Sequence, residues 1–325
     1  MKWTVYSVGL VERSLMYLPR LRGRQFEISA IRSCAQSFAA RGRVVPIIEL
    51  VKSPDDLLAR RLDSISDQGL SCGLVLNPSV GEMKGSTGWQ ALGTFLLDRN
   101  LLDSHGLVVL SNGSADHGAM ARWIGRARKK RTFTLDVFHE PDMSISLSGN
   151  TYRDVRWNIA EDRTVPSSYG LPLGSRPVIW SSDPFPGLQP NSEYLVRPES
   201  IFTTRTSAYK SAGYAGISDF LTVGRSFKPG GGRAYAVVIH LTFKKAGAIR
   251  VRHFCSDTND TPDDPGGKFL EALEKLVAFV TSSGIPSNPA IDTFADLHNR
   301  AHFPGLGKVK ELSMINHMLV MQSAV

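Results

Sequence analysis

The sequence predicts a (β/α)8 barrel of the TIM type followed by C-terminal helices, and three observations support this prediction. Short runs rich in valine, isoleucine and leucine alternate along the chain with segments whose apolar residues recur at helical spacing. These runs are nearly continuous in apolar residues, as parallel strands covered on both faces usually are. Eight of them fall within about 270 residues, close to the usual length of such a barrel.

A doubly wound open parallel sheet is the alternative fold, because the strand count in the second half of the chain is uncertain by one or two. Such sheets often bind dinucleotides through a glycine fingerprint after the first strand. The nearest run of this kind, residues 81–88, lacks the required spacing, which disfavours a dinucleotide-binding sheet.

In the first half of the chain, five apolar runs alternate with four helical segments. One helix starts clearly, with Ser53 as its cap and Pro54 at its first position, and another ends at Gly42. The predicted strands lie at 15–18, 44–51, 72–76, 107–110 and 132–138, and the helices at 25–40, 54–68, 89–102 and 115–129.

The second half continues the alternation less regularly. Residues 177–180, 215–223 and 234–243 supply the sixth, seventh and eighth predicted strands, and 248–255 alternates as an exposed hairpin partner of the eighth. Helices are predicted at 268–281, 291–301 and 307–322. The expected organisation is an N-terminal extension at 1–15, one barrel domain at 16–282 and helices at 283–325 packed on that domain.

The composition is that of a folded globular protein without membrane-spanning segments. Of 325 residues, 42% are hydrophobic and 21% charged, which excludes disordered and collagen-like classes. No run approaches about 18 apolar residues, and residues 1–15 lack the apolar core of a signal peptide. The 3 cysteines are far apart, which favours a reducing compartment. We therefore expect a cytoplasmic protein without a membrane partner.

Nearly every predicted strand ends in a polar side chain that could take part in chemistry. In a parallel barrel these ends meet at one rim, so residues distant in sequence would surround one cavity. Polar residues are also common wherever strands end, so capping is the competing explanation for each position. The candidates for acid–base catalysis are Glu49, Asp136, Asp219 and His240, and those for ligand binding are Arg22, Arg24, Asn77, Asp183, His253 and Asp257.

The segment from Arg22 to Arg24 is the main anion-binding candidate. Gly23 allows a close backbone approach, and two guanidinium groups beside a helix start suit a phosphate or carboxylate. The alternative is an arginine–glutamate clamp, in which Arg22 or Arg24 pairs with Glu27 or Glu49 inside the barrel mouth.

A bound metal is not predicted. Glu49, Asp136, Asp183 and Asp219 carry the oxygen ligands that Mg²⁺ prefers, but no compact spacing joins them. His253 and Cys255 share one strand face, yet no second pair completes a zinc site. The sequence offers no basis for naming a cofactor.

A basic segment at residues 122–131 is the densest charge cluster in a chain with 38 Lys and Arg against 30 Asp and Glu, a net charge of +8. Cations at a helix end complement the helix dipole, so a solvated helix end explains the cluster. Nucleic-acid binding is the alternative, although no aromatic residues interleave and no known module is present.

Several blocks of the chain resemble bacterial proteins of the "beta protein" family, which is named after a satellite-phage gene. The blocks are residues 16–27, 45–49, 213–220, 238–241, 253–260 and 303–310. The resemblance spans almost all of residues 16–322 and implies a role in mobile or defence-associated gene neighbourhoods beside a second, sometimes nuclease-like, protein. It transfers no catalytic residues, and residues 1–15 depart from it.

Two functions are therefore expected. The first is a component of an anti-phage or toxin–antitoxin module that works with a protein partner encoded nearby, and through that partner with nucleic acid. The second is a barrel enzyme of hydrolase or lyase type that binds a phosphorylated or nucleotide-like ligand through Arg22 and Arg24, with Glu49, Asp219 or His240 as acid–base groups.

Overall fold

The computed structural model describes residues 16–111, 116–139, 155–161, 177–230 and 235–325. The predicted N-terminal extension, residues 1–15, lies outside them. The strands are β1 (Met16–Leu21), β2 (Ile47–Ile48), β3 (Gly73–Val75), β4 (Gly106–Ser111), β5 (Leu135–His139), β6 (Asn158–Glu161), β7 (Val178–Ser181), β8 (Glu199–Thr203), β9 (Gly216–Asp219), β10 (Val238–Lys245) and β11 (Ala248–Cys255).

The helices are α1 (Gln25–Arg41), α2 (Asp56–Ser66), α3 (Ser86–Asp98), α4 (His117–Arg128), α5 (Arg205–Ala208), α6 (Pro265–Ser283), α7 (Pro289–Asn299) and α8 (Leu306–Ala324). Short 3-10 turns lie at Leu101–Asp103 and Asn191–Leu195. No helix among the described residues is long and apolar enough to cross a membrane.

Eight parallel strands close into a barrel in the order β1-β2-β3-β4-β5-β6-β7-β9. The (β/α)8 prediction is therefore confirmed, and the open-sheet alternative is wrong, because β9 pairs with both β7 and β1. Gly216 makes this closure possible, since a Cβ there would lie 2.1 Å from the carbonyl oxygen of Met16.

Alternate residues of the barrel strands point inward and fill the barrel with apolar side chains. These are Met16, Leu18, Ile47, Val75, Val108, Leu110, Phe138, Ile159, Ile179 and Phe220. The residues between them face the outer layer, where α1, α2, α3, α4 and α8 contribute to the larger apolar cluster.

The strand count in the second half of the chain is partly wrong. The sixth strand of the barrel is β6, at residues that no predicted strand covers. The predicted strands at 177–180 and 215–223 correspond to β7 and β9, which are the seventh and eighth strands of the barrel. Residues 234–243 were expected to be the eighth barrel strand but include β10, which lies in a separate sheet of order β10-β11-β8. The hairpin between β10 and β11 is confirmed, and their pairing is antiparallel.

This second sheet combines β8, from the connection between β7 and β9, with the hairpin that follows β9. The last helix, α8, packs on α1 and on β10, and α7 packs on α8 and α6. Helix α8 therefore covers the outside of the seam where the barrel closes, and the second sheet, α6 and α7 pack around α8.

Candidate active site at the barrel mouth

The carboxyl end of β1 sends two arginines into the barrel mouth. Arg20 and Arg22 continue the inward alternation of Met16 and Leu18, and both are buried. Between Arg22 and Arg24 the backbone turns sharply at Gly23, whose φ is +67° and where a Cβ would lie 2.9 Å from Leu50. The turn sends the two flanking side chains to different places.

Glu49, just after β2, receives both buried guanidinium groups. Its Oε2 accepts hydrogen bonds from Arg20 Nη2, at 2.7 Å, and from Arg22 Nη1. Its Oε1 accepts from the amide and hydroxyl of Ser79, at 2.7 and 2.8 Å. Burial alone would raise the pKa of Glu49, but the two arginines and the Ser79 amide lower it to about 2. Glu49 is thus an ionised structural anchor, and the clamp alternative is confirmed for Arg22.

The clamp extends across the mouth through stacked aromatic rings. The guanidinium of Arg20 lies 4.3 Å from the ring centre of Phe138 and 5.2 Å from that of Phe220. Arg22 Nη2 donates to the carbonyl oxygen of Arg225 at 2.6 Å, and Arg225 stacks on Phe220 and forms an ion pair with Glu161. Flat guanidinium groups suit such stacking because they are weakly hydrated.

Arg24 does not join the mouth. It is exposed, stacks 4.9 Å from the ring centre of Phe227 and donates to the carbonyl oxygen of Lys228. The buried carboxylate of Glu27 instead accepts from the backbone amides of Arg22 and Arg24 at the start of α1. The expectation that Arg22 and Arg24 form one anion site is therefore wrong.

A cavity of about 420 Å³ opens at the carboxyl ends of β6 and β7, and β8 forms its outer wall. Its lining combines two carboxylates, one arginine and several hydroxyl groups. The lining residues are Glu161, Ser181, Ser182, Asp183, Pro184, Ile201, Phe202, Thr203, Thr204 and Arg205.

Asp183 is the accessible carboxylate of this cavity. Its Oδ2 accepts the backbone amide of Arg225 at 2.9 Å, which fixes the carboxylate against the clamp. Desolvation raises the pKa of Asp183 and the negative charge of Asp219 adds to this, while the Arg225 amide and Arg22 oppose the shift. An accessible carboxyl group with a raised pKa is suited to proton transfer.

Two further residues give the cavity its binding groups. The Ser181 hydroxyl is buried and has no hydrogen-bond partner among the residues that the structure describes. Arg205 stacks 4.3 Å from the ring centre of Trp180, and its Nη1 donates to the carbonyl oxygen of Ser181 at 3.0 Å. The Arg205 amide donates to the Thr203 hydroxyl.

Two other candidates near the strands have structural partners. Asn77 Nδ2 donates to the carbonyl oxygen of Leu110 at 2.7 Å, and Asn77 Oδ1 accepts from the Leu110 amide at 2.9 Å, so its amide extends the pairing of β3 with β4. Asp136 is buried and accepts from Arg156 Nε at 3.0 Å and Nη2 at 2.5 Å, before the start of β6. It therefore lies toward the amino ends of the strands, and its predicted place at the catalytic rim is wrong.

Asp219 also faces away from the cavity. It accepts from the Tyr17 hydroxyl at 2.9 Å and lies 3.4 Å from His317 Nε2, while His317 Nδ1 lies 2.8 Å from the Thr242 hydroxyl. All four side chains are buried between the barrel wall, α8 and β10. The inward residue here is Phe220, so the expected placement of Asp219 in the mouth is wrong.

His240 and His253 lie opposite each other in the second sheet and not at the barrel rim. Their Nδ1 atoms are 2.8 Å apart, and the rings of Phe185 and Tyr194 enclose them. Burial lowers the pKa of His240 well below its usual value and that of His253 to about 4.

Asp257 lies outside the cavity too, paired with Lys275 at 2.7 Å. Of the ten candidates, Arg22, Glu49 and Asp183 lie in the mouth, and Asn77 lies at the same end of the barrel but is bound to the β4 backbone. The other six lie elsewhere. Glu161, Ser181, Arg205 and Arg225 were not selected. The alternation along 158–161 and the serines that follow 177–180 are the signals that point to two of them.

A larger groove, of about 760 Å³, lies outside the barrel beside α2 and α3. Its charged lining residues Glu82, Asp98 and Arg99 are exposed, and it lies away from the carboxyl ends of the barrel strands. We therefore take the smaller cavity as the candidate site. In the part of the chain that is described, no three His, Cys, Asp or Glu side chains cluster closely enough to hold a metal ion.

No family model and no curated protein matches the chain. Among solved structures, it is similar to N-acetylneuraminate lyase from Mycoplasma synoviae, with 7% identity, 65% of this chain and 70% of the lyase covered, and a TM-score of 0.37. A putative dihydrodipicolinate synthase family protein from Coccidioides immitis shares 10% identity over 94% of this chain and 84% of its own, with a TM-score of 0.40.

A third similar structure is (S)-3-O-geranylgeranylglyceryl phosphate synthase from Thermoplasma acidophilum, with 11% identity, coverage of 64% and 85%, and a TM-score of 0.27. Likeness at these levels carries no argument about activity. The function therefore has to be inferred from the geometry of the mouth.

Proposed function

We propose that the chain is a barrel enzyme of hydrolase or lyase type, whose active site is the cavity at the ends of β6 and β7. The observation that carries this proposal is the joint placement of Asp183, Ser181 and Arg205 around one cavity. The carboxyl ends of the strands are where barrel enzymes place their catalytic groups.

Asp183 would act as the proton-transferring group. Its pKa is raised, which brings the carboxyl group nearer to neutral pH, and its exposure lets it reach a ligand. Glu49 cannot take this role, because its pKa of about 2 keeps it ionised and both of its oxygens are occupied.

The ligand would be a small phosphorylated or nucleotide-like anion. Stacking on Trp180 and the bond to the Ser181 carbonyl fix the plane of the Arg205 guanidinium. A guanidinium with a fixed plane suits a phosphate oxygen pair. The hydroxyl of Ser181 would gain its missing partner from such a ligand.

The test is a thermal-shift screen of the full chain with inorganic phosphate, sugar phosphates and nucleoside monophosphates, followed by titration of each stabilising compound. We expect Arg205→Gln to weaken binding of the best compound by about tenfold or more, since a charged hydrogen bond contributes about 1.5–3 kcal/mol. Arg99→Gln, the same change in the outer groove, is the matched control and should leave binding unchanged.

Turnover of that compound should fall by about two orders of magnitude or more in Asp183→Asn while its affinity changes little, because proton transfer contributes roughly 10²–10⁴-fold. Asp98→Asn in the outer groove is the control. The proposal fails if no phosphorylated compound stabilises the chain, or if Asp98→Asn and Arg99→Gln reproduce the losses.

The role in an anti-phage or toxin–antitoxin module with a protein partner stays a prediction based on the sequence resemblance. Co-purification with the product of the neighbouring gene would support that prediction. A lone monomer, together with unchanged phage sensitivity after deletion of the gene, would contradict it. An enzyme could itself be the component of such a module.

A further inference from the structure

We infer that the outer edge of β8 is a docking strand for an extended, acidic segment of a protein partner. This inference is independent of the proposed enzymatic activity, since it depends on the backbone of β8 and the side chains around it.

The backbone of β8 has a free edge among the described residues. The second sheet has the order β10-β11-β8, so β8 pairs on one side with β11. The Pro198 carbonyl accepts from the His253 amide at 2.8 Å and therefore points toward β11. Backbone groups alternate along a strand, so those of Glu199 and Ile201 point away from β11 and are placed to pair with another strand.

Exposed apolar side chains lie on β8, at Ile201, and at the end of the 3-10 turn before it, at Leu195 and Val196. Val196, Ile201 and Leu195 are 75%, 54% and 40% exposed, and they are three of the six large apolar side chains that are this exposed in the described residues. Natural edge strands usually avoid such side chains, and exposed apolar groups beside an unpaired edge are typical of peptide-docking strands.

The charges around the edge favour an acidic occupant. Arg250 lies opposite Ile201, and Arg252 lies opposite Glu199. Glu199 accepts from both arginines, at 2.5 and 3.1 Å, and Arg197 is exposed nearby. With the exposed Glu193 in the preceding turn, three cations lie beside two carboxylates, which leaves a net positive charge. A second copy of this chain would bring the same positive excess against itself, whereas an acidic segment would neutralise it.

The position of β8 gives docking a consequence. Ile201, Phe202 and Thr203 also form the outer wall of the candidate cavity. A strand added to this edge would order the wall from outside, because main-chain pairing fixes the path of both strands.

The probe is a fluorescein-labelled synthetic peptide of alternating glutamate and valine, added to the full chain and followed by fluorescence anisotropy. We expect saturable binding that weakens as salt is added, and no comparable binding of the matching lysine–valine peptide. Ile201→Glu places a negative charge at the centre of the edge, where it repels the acidic peptide, and should weaken binding by about tenfold or more. Leu57→Glu, the same change at a side chain 44% exposed on α2, is the matched control.

Ile201→Pro tests the backbone contribution, because it removes one amide that points away from β11, and an edge strand tolerates proline at such a position. It should weaken binding as Ile201→Glu does, while circular dichroism reports an intact fold. Asp183→Asn should bind the peptide as the wild type does, so a failure of the enzymatic proposal can be distinguished from a failure of the docking proposal.

The inference is wrong if the wild type shows no saturable binding, if the lysine–valine peptide binds as tightly, or if Ile201→Glu and Leu57→Glu behave alike. A wild-type dimer in sedimentation that Ile201→Pro dissociates would also overturn it, since the occupant of the edge would then be a second copy.

Discussion

Glu49 is the shared counter-ion of the barrel mouth, because its one buried carboxylate pairs with both Arg20 and Arg22. Glu49→Gln would keep the shape of the side chain and leave two buried guanidinium groups without their counter-charge. We expect the free energy of unfolding to fall by about 3–5 kcal/mol, the usual cost of breaking a buried ion pair from one side. Urea denaturation measures this difference.

Glu82→Gln is the matched control. Glu82 is exposed and accepts from Ser53, so its loss should change the free energy of unfolding by less than about 1 kcal/mol. A Glu49→Gln variant as stable as this control would show that the clamp does not hold the mouth together.

The same carboxylate predicts a dependence on pH. The folded-state pKa of Glu49 is about 2, below its usual 4.5, so the unfolded chain takes up its proton first. The stability that Glu49 contributes is therefore complete above about pH 4.5 and is lost as pH falls toward 2. The difference between wild type and Glu49→Gln should shrink through that window. A difference that stays constant from pH 6 to pH 3 would contradict this.

The sequence identifies the residues of the mouth only in part because side-chain direction alternates along a strand. Arg22 and Glu49 follow the inward positions of β1 and β2 and were selected, while Asp219 occupies an outward position one residue before Phe220. Asp219 is the last residue of β9 and Phe220 follows it directly, and a single step along the strand direction reverses the face. The position of a strand end in the sequence therefore does not determine whether its last side chain points into or out of the barrel.

At the scale of secondary-structure elements, the second sheet carries a histidine pair that should make folding sensitive to mild acid. The folded-state pKa of His253 is about 4, below the usual 6.5, and that of His240 is also lowered. The unfolded chain therefore binds more protons, so stability falls as pH drops from about 6.5 to 4, by at most about 1.4 kcal/mol per pH unit for each group.

Replacing both histidines by phenylalanine should make the dependence of stability on pH less steep, because it removes two titrating groups. The variant should still fold, since the enclosing rings of Phe185 and Tyr194 accept an aromatic neighbour. Urea denaturation at several pH values measures the slope. It should shrink without vanishing, since His105 and His139 are also buried with lowered pKa values. An unchanged slope would assign the acid sensitivity to other groups.

The polar chain from Tyr17 through Asp219 and His317 to Thr242 joins β1 and β9 of the barrel and β10 of the second sheet to α8. Thr242→Val keeps the volume of the side chain and removes its hydroxyl, leaving His317 Nδ1 buried without that partner. We expect a loss of about 1–3 kcal/mol in the free energy of unfolding. Thr281→Val, at an exposed position of α6, is the control and should change it by less than about 0.5 kcal/mol.

Most elements were predictable because long apolar runs and helix starts are local signals. Strand β6 has four residues and was missed, whereas β10 was recognised as a strand but assigned to the barrel. The apolar run of β10 resembles that of a parallel barrel strand, although β10 pairs antiparallel with β11, so the run alone does not reveal its partner. The position of β10 depends on its pairing with β11 and its packing against α8 and α6.

At the scale of the whole molecule, barrel closure depends on the close approach of β9 and β1. Gly216→Ala would place a methyl group against the Met16 carbonyl, and backbone cannot yield as a flexible side chain does. We expect a loss of about 1–3 kcal/mol or more. Gly125→Ala lies in open space within α4 and should instead stabilise the chain by about 0.5–1 kcal/mol.

Calorimetry of the two glycine variants measures these opposite changes. A Gly216→Ala variant with the wild-type transition temperature would mean that β1 and β9 need not approach as closely as the structure places them.

The barrel class followed from the repeated alternation of strands and helices, which many residues specify together. The location of the site followed only in outline. The candidate cavity lies at the carboxyl ends of strands, where the sequence analysis places a site, but the positions of Ser181 and Arg205 in it depend on Trp180 and on the fold of the connection before β9, which no local pattern encodes.

The seam between β1 and β9 also sets the order in which a newly made chain can fold. Tyr17 and Asp219 are 202 positions apart, so the emerging N-terminal strands must wait for the eighth strand before the ring is complete. During translation, the edge of β1 that pairs with β9 has no partner strand until β9 has been synthesised. We expect nascent chains that stall before residue 216 to depend on chaperones, and chains released after α8 to fold without them.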